Sequence, residues 1–166
     1  MSAEIHGDLL GLALEGRFDV IVHGCNCMCV MGAGIAKQIR SKFPEAYEAD
    51  LQTPKGSREK LGSISSALVR RGKHTFHVVN AYTQFDWRGG GVKAEYESIR
   101  HAMRRVRVSF SGKRIAYPYI GAGLAGGDWA VISEIIGTEL AGEDHTLVIY
   151  EAQQSAPSGR AKKRGA

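Results

Sequence analysis

His23, Asn26 and three cysteines crowd into one fourteen-residue stretch, His23-Gly-Cys-Asn-Cys-Met-Cys-Val-Met-Gly-Ala-Gly-Ile-Ala36. An imidazole titrates near neutral pH, so His23 is a candidate general base or acid. The Asn26 amide both gives and accepts hydrogen bonds and can position a hydroxylated ligand. Asp128 is a candidate second acid/base group, and His77 and Asp86 are weaker ones. Together these groups suit hydrolysis of a phosphate ester, which needs electrostatic stabilisation, positioning and an oriented water. Each also has a structural reading. His23 can be a core histidine at a strand end, Asn26 a turn former, and Asp128 the N-cap of a following helix.

Two glycine-rich loops must hold any such site. The first follows the apolar segment Val20–His23 and passes through Gly32 and Gly34 into a helix carrying Ile35, Ile39 and Phe43 on one face. The second, from Tyr119 to Gly127, follows a strand over Arg114–Pro118 and opens a helix at Asp128. A helix start carries unpaired N–H groups and the positive end of a dipole, and glycine admits close approach of a ligand. Two loops of this kind imply one anionic ligand held from both sides.

Strand and helix patterns alternate along the rest of the chain. Strands are expected over Ala3–His6, Ser63–Val69, Thr75–Ala81 and His145–Tyr150, with a turn at Arg70–Lys73. Helices are expected over Leu9–Leu14, Glu45–Leu51 and about Lys93–Phe110, the last with Arg100, Arg104, Arg105 and Arg107 on its outer face. Thr53–Lys60 reads as a polar connector. The alternation predicts a three-layer α/β/α sandwich with a central mixed sheet and ligands at the carboxyl ends of its strands.

The 166 residues are 43% apolar, enough for one domain burying roughly two-thirds of its unfolded surface. Of the net charge of +5, four charges lie on Arg160, Lys162, Lys163 and Arg164, so residues 1–151 carry only +1. The expected organisation is therefore one domain over 1–151 and a flexible basic tail over 152–166. Nucleic-acid contact is expected only through that tail. No apolar run approaches 18 residues and no signal-peptide pattern opens the chain, so a cytoplasmic monomer without membrane contact is the expectation. C-x-C-x-C spacing is poor for mutual disulfides and lacks the second half of common zinc sites. The thiols read as small groups packed in a tight loop, and neither metal nor cofactor is expected.

Gly32-Ala33-Gly34 supplies a G-x-G, but Lys37 replaces the third glycine of a dinucleotide fingerprint, and eight residues separate His23 from Gly32. No Walker motif occurs. The chain instead resembles the macro domains, which bind ADP-ribose and its derivatives, over about residues 3–150. The residues carrying the resemblance are His23-x-Cys25-Asn26-Cys27, Gly32-x-Gly34-Ile35-Ala36, Gly121-x-Gly123-Leu124 ahead of Trp129, and Gly7-Asp8 before a short helix. Within the family the pattern is nearest the branch of the yeast ADP-ribose 1''-phosphate phosphatase.

The resemblance assigns roles. Asp8, with Leu9 beside it, would accept from the adenine amine in a buried pocket, unless it only caps its helix. Asn26 would bond the distal ribose. Gly32, Ala33, Gly34 and Ile35 would offer N–H groups to one phosphate, and Gly121, Ala122, Gly123 and Leu124 would wrap the other. Tyr150 would pack on adenine or lie in the core. One branch of the family removes ADP-ribose with a lysine and an aspartate; Gln84 and Ala125 stand at those places here, which disfavours that chemistry unless Lys93 substitutes. The expectation is an ADP-ribose 1''-phosphate phosphatase. The alternatives are a silent reader of ADP-ribosylated partners, a hydrolase releasing ADP-ribose from a macromolecule, and a nucleic-acid binder using the tail and the arginine face.

Overall fold

A computed structural model describes residues 2–150. The strands are β1 (Ser2–His6), β2 (Val20–Cys25), β3 (Ile64–Arg71), β4 (His74–Tyr82), β5 (Ile115–Tyr117) and β6 (His145–Ile149). The helices are α1 (Leu9–Leu14), α2 (Gly34–Lys42), α3 (Pro44–Leu51), α4 (Tyr96–Phe110) and α5 (Trp129–Glu139), with a 3-10 turn at Arg58–Lys60. The six strands form one sheet in the order β1-β6-β5-β2-β4-β3. All neighbours run parallel except β3 and β4, which are joined through Gly72-Lys73 as an antiparallel pair. The basic residues 152–166, expected to form a tail, lie outside the described residues.

Strand parity sets the layers. Val20 and Val22 point into the cluster that α4 and α5 cover, with Val79, Ile115 and Leu147. Ile21 points the other way, with Val78, Ala116 and Val148, under α1, α2 and α3. Both faces of the sheet are thus covered, which is why its central strands read as unbroken apolar runs. The mixed α/β/α architecture agrees with the expectation.

Helix α4 starts at Tyr96, three residues later than its periodicity suggests. The N–H groups of Lys93 and Ala94 donate to the Ala125 carbonyl, and that of Glu95 donates to Thr83, so these residues are held extended. Three of the four arginines on its outer face are ion-paired rather than free. Arg104 bonds the Glu139 carboxylate at 2.9 and 3.1 Å, Arg100 pairs with Glu97 and Glu139, and Arg107 with Glu143. Phosphate contact through that face would have to break these pairs. No helix among the described residues is long and apolar enough to cross a membrane.

Candidate functional site

Five parallel strands end on one side of the sheet, and the chain leaves each of them into one shared cleft of about 910 Å³. It is lined by Gly7–Leu9 after β1, Tyr150 after β6 and Pro118–Gly121 with Gly123–Ala125 after β5. Gly24–Asn26 and Gly32–Ala36 line it after β2, and Thr83, Gln84, Trp87 and Lys93 after β4. From β1 to β4 it crosses four inter-strand gaps, about 19 Å at about 4.8 Å each.

The two glycine loops face each other across the middle. No hydrogen bond among the described residues engages the N–H groups of Gly32, Ala33, Gly34 and Ile35, or those of Gly121, Gly123, Leu124 and Ala125. Gly34 opens α2 with φ +58°, a left-handed backbone that a side chain would strain. Leu124, 82% exposed, overhangs it, with Cδ1 only 3.5 Å from where a Cβ on Gly34 would stand. The second loop is folded tightly by Gly127, whose N–H donates to the Gly121 carbonyl at 2.7 Å. A Cβ on Gly127 would meet that carbonyl oxygen at 2.6 Å.

At the β1 end, Asp8 caps α1, its carboxylate accepting from the Leu10 N–H at 3.3 Å. It lines the cleft but is solvent-exposed, so the expected buried pocket around it is not formed in the free protein. Leu9 beneath it is buried, and Tyr150 is 55% exposed on the cleft wall rather than in the core.

At the β4 end, Lys93 lines the cleft, and its ammonium, beside Gly89, has no carboxylate within ion-pair distance among the described residues. Gln84 and Ala125 line it too. The sequence names Gln84 and Lys93 in the loop after β4, and extending the strand-end rule to that strand adds Thr83 and Trp87.

Three expected roles need correction. His23 has 0% exposure and does not line the cleft. It shares the face of Ile21 on β2, under α3, where the Asn80 amide donates to Ala46 and Ser65 and turns its oxygen to His23 Nε2 at 2.7 Å. That geometry puts the proton on Nε2. Burial lowers the imidazole pKa to about 4, against the Asn80 bond, so the ring is neutral and is no general base for this cleft. Asp128 is exposed off the cleft and caps α5 through the Ala130 N–H at 2.9 Å. Ala122 is buried in the core, and its N–H donates to Tyr119, so it offers nothing to a phosphate. Asn26 lines the cleft but also shapes its own loop. Its oxygen accepts from the Met28 N–H at 2.9 Å and its nitrogen donates to the Val30 carbonyl at 2.8 Å, which leaves one N–H for a ligand. The weaker candidates go elsewhere: His77 packs on Phe110 and Asp86 pairs with Arg88.

All three cysteines are free and buried. Cys25 lies on the cleft floor, 3.5 Å from the His23 ring, but burial raises its thiol well above the usual range. Thiol and imidazole are both neutral, the opposite of an activated nucleophile pair. Cys29, with φ +57°, accepts from Lys60 Nζ at 3.5 Å. Lys60 also bonds the Cys27 carbonyl at 3.3 Å and pairs with Asp50, so a buried cation ties the first loop to α3. Among the described residues no group of three or more His, Cys, Asp or Glu side chains is placed to hold a metal.

The comparisons with known proteins agree with this architecture. The Macro domain family model matches residues 22–136. An uncharacterized 17.5 kDa protein of Enterobacteria phage T4 is 36% identical over 152 residues, 89% of this chain and 95% of the phage protein. The DNA ADP-ribosyl glycohydrolase of Mycobacterium tuberculosis is 27% identical over 128 residues, 77% of this chain but only 35% of that longer protein. The ADP-ribose 1''-phosphate phosphatase of Scheffersomyces stipitis is 49% identical over only 45 residues, 26% of each chain. The solved macrodomain of Mycobacterium tuberculosis DarG superposes with a TM-score of 0.68 at 24% identity, covering 95% of this chain and 99% of that one. With the family model spanning more than half of its length, this chain belongs to the macro domain family.

Proposed function

We propose that the cleft binds ADP-ribose derivatives and hydrolyses the substituent on the distal ribose C1'', with ADP-ribose 1''-phosphate as the leading substrate. The facing N–H groups of the two loops carry this reading, since they suit a diphosphate in the middle of a cleft about 19 Å long. Asp8 and Tyr150 then take the adenosine end, and Asn26 the distal ribose. The unpaired Lys93 cation complements a phosphate on that ribose. Phosphoryl transfer through a loose transition state asks for oriented donors and a positioned water, which the loops and Lys93 supply without His23 or Asp128.

The test is release of inorganic phosphate from ADP-ribose 1''-phosphate. Lys93→Met is expected to lower kcat/KM about ten- to hundredfold, the weight of a hydrogen bond to a charged group, while the ADP-ribose Kd moves less than about threefold. No phosphate release above the enzyme-free rate overturns the phosphatase reading. A second reading, release of ADP-ribose from a modified macromolecule, is supported by the glycohydrolase relative and by the exposed rim at Trp87, Val92 and Leu124. It predicts free ADP-ribose from modified DNA in the same experiment. Tight ADP-ribose binding with both assays blank identifies a reader.

A further inference from the structure

The surface arginines fall into two kinds. Arg100, Arg104 and Arg107 on α4 are held by carboxylates. Arg40 on α2 and Arg58 in the 3-10 turn lie instead over aromatic rings, 4.3 Å from the centre of Tyr47 and 4.1 Å from the centre of Phe85. Among the described residues neither has a carboxylate within ion-pair distance, and the same holds for Lys37, Lys55 and Lys93. Stacking fixes the plane of a guanidinium but leaves its N–H edge open to an anion.

The fold gathers these cations beside the cleft. Tyr47 and Phe85 pack against one small apolar cluster of Cys25, Cys27, Met31 and Tyr82, which also underlies Ala36 in the first turn of α2. Cys27 ties the neighbouring segments together. Its N–H donates to the Phe85 carbonyl at 2.9 Å, and its carbonyl accepts from the Gly56 N–H at 2.8 Å. Lys55 and Arg58 are therefore held next to Phe85. Trp87 follows two residues on, 44% exposed at the cleft edge, with Arg88 over its ring at 5.0 Å. Asp86 does not neutralise the row, because Arg88 engages its carboxylate. Glu48, Glu59 and Glu95 are the other exposed acids on these elements, and none pairs with the five cations.

A partner for this row carries negative charges at short intervals with planar groups between them. An acidic peptide brings charge without a ring for Trp87, and a duplex keeps its bases stacked inside. We propose that the surface from α2 across Arg58 to Trp87 is a docking track for single-stranded nucleic acid, with phosphates on Arg40, Lys55 and Arg58 and an unpaired base against Trp87. The track passes the β4 end of the cleft. It deepens the second reading given above and rests on it for the strand's role as substrate, whereas the binding itself stands apart from that reading.

Fluorescence anisotropy of the full chain with a labelled oligothymidylate of about 12 nucleotides tests this. Arg40→Ala with Arg58→Ala is expected to weaken the single strand tenfold or more. It should also lower the slope of log affinity against log salt by about 1.4, two phosphates at about 0.7 each. Trp87→Ala is expected to weaken binding fivefold or more with the slope unchanged, because stacking releases no counterion. Arg105→Ala, which removes an exposed arginine of α4 that has no ion pair among the described residues, should leave binding within twofold. A duplex or polyglutamate that competes as well as the single strand overturns the proposal. So does wild-type protein without affinity, or a loss that follows alanine at Arg160, Lys162, Lys163 and Arg164 but not at Arg40 and Arg58. ADP-ribose calorimetry reports on the cleft separately: wild-type protein that binds the strand but no ADP-ribose overturns the reading of the cleft and leaves the track standing.

Discussion

Lys60→Met is expected to lower the unfolding free energy by about 3–5 kcal/mol, the usual result of stranding one partner of a buried ion pair. Lys60 and Asp50 are both almost wholly buried, with Nζ 3.9 Å from Oδ1. The Tyr82 hydroxyl donates to the same oxygen at 2.7 Å, and the ammonium also sits over the Tyr82 ring. Burial already holds the Asp50 carboxyl above its ordinary range, outweighing the pull of Tyr82 and Lys60. Without the ammonium it rises further, and protonation can relieve the stranded charge at low pH. The loss is therefore larger at pH 8 than at pH 5. Asp50→Asn in the Lys60→Met background keeps an acceptor for Tyr82 without the charge and is expected to recover part of it. The Cys27 carbonyl is not orphaned, because it also accepts from the Gly56 N–H at 2.8 Å. Urea denaturation of the wild type and the two variants at both pH values decides the point. Equal loss at pH 5 and pH 8 would show that packing, not charge, carries the effect.

The second large effect is acid sensitivity through His23. With a folded pKa of about 4 against 6.5 for the ordinary imidazole, the unfolded chain binds a proton between these values that the fold refuses. The stabilisation is complete above pH 6.5 and is lost as pH falls through 4, about 2 kcal/mol by pH 5 and about 3 by pH 4. His77 and His145 are also lowered by burial and add in the same direction. Asp19, Glu45 and Glu139, each held low by an arginine, act mainly at still lower pH. The diagnostic is thus the difference between wild type and His23→Gln, whose amide can still donate to Asn80. Unfolding free energies at pH 7 and pH 5 should diverge by about 2 kcal/mol less in the variant. Identical slopes would mean that His23 titrates normally and faces water. His23→Ala, by contrast, leaves the Asn80 oxygen without its donor, so any activity it loses reports folding before chemistry.

The parts of the site made of backbone were legible in the sequence. Glycine placement after Val20–His23 and after Arg114–Pro118 marked both loops, because the left-handed φ of Gly34 strains a side chain and the crowding at Gly127 leaves no room for a Cβ. Side-chain roles were harder. Asp128 and Asn26 have short polar side chains that bond their own backbone as readily as a ligand; both do so here, and only Asn26 also lines the cleft. His23 was misread although its parity with Ile21, under the covered face of a central strand, pointed to the core. Lys60 and Asp50 sit in or beside a polar connector, where charge reads as solvated; only the packing of that connector against α3 and β4 buries them.

The most direct test of the whole account is a crystal soaked with ADP-ribose. It should show diphosphate oxygens about 3 Å from the N–H groups of Gly34 and Ile35 on one side and Gly123 and Leu124 on the other, with adenine between Asp8 and Tyr150 and the second ribose against Asn26. Nucleotide density elsewhere on the molecule, or an empty cleft at saturating ligand, would contradict it.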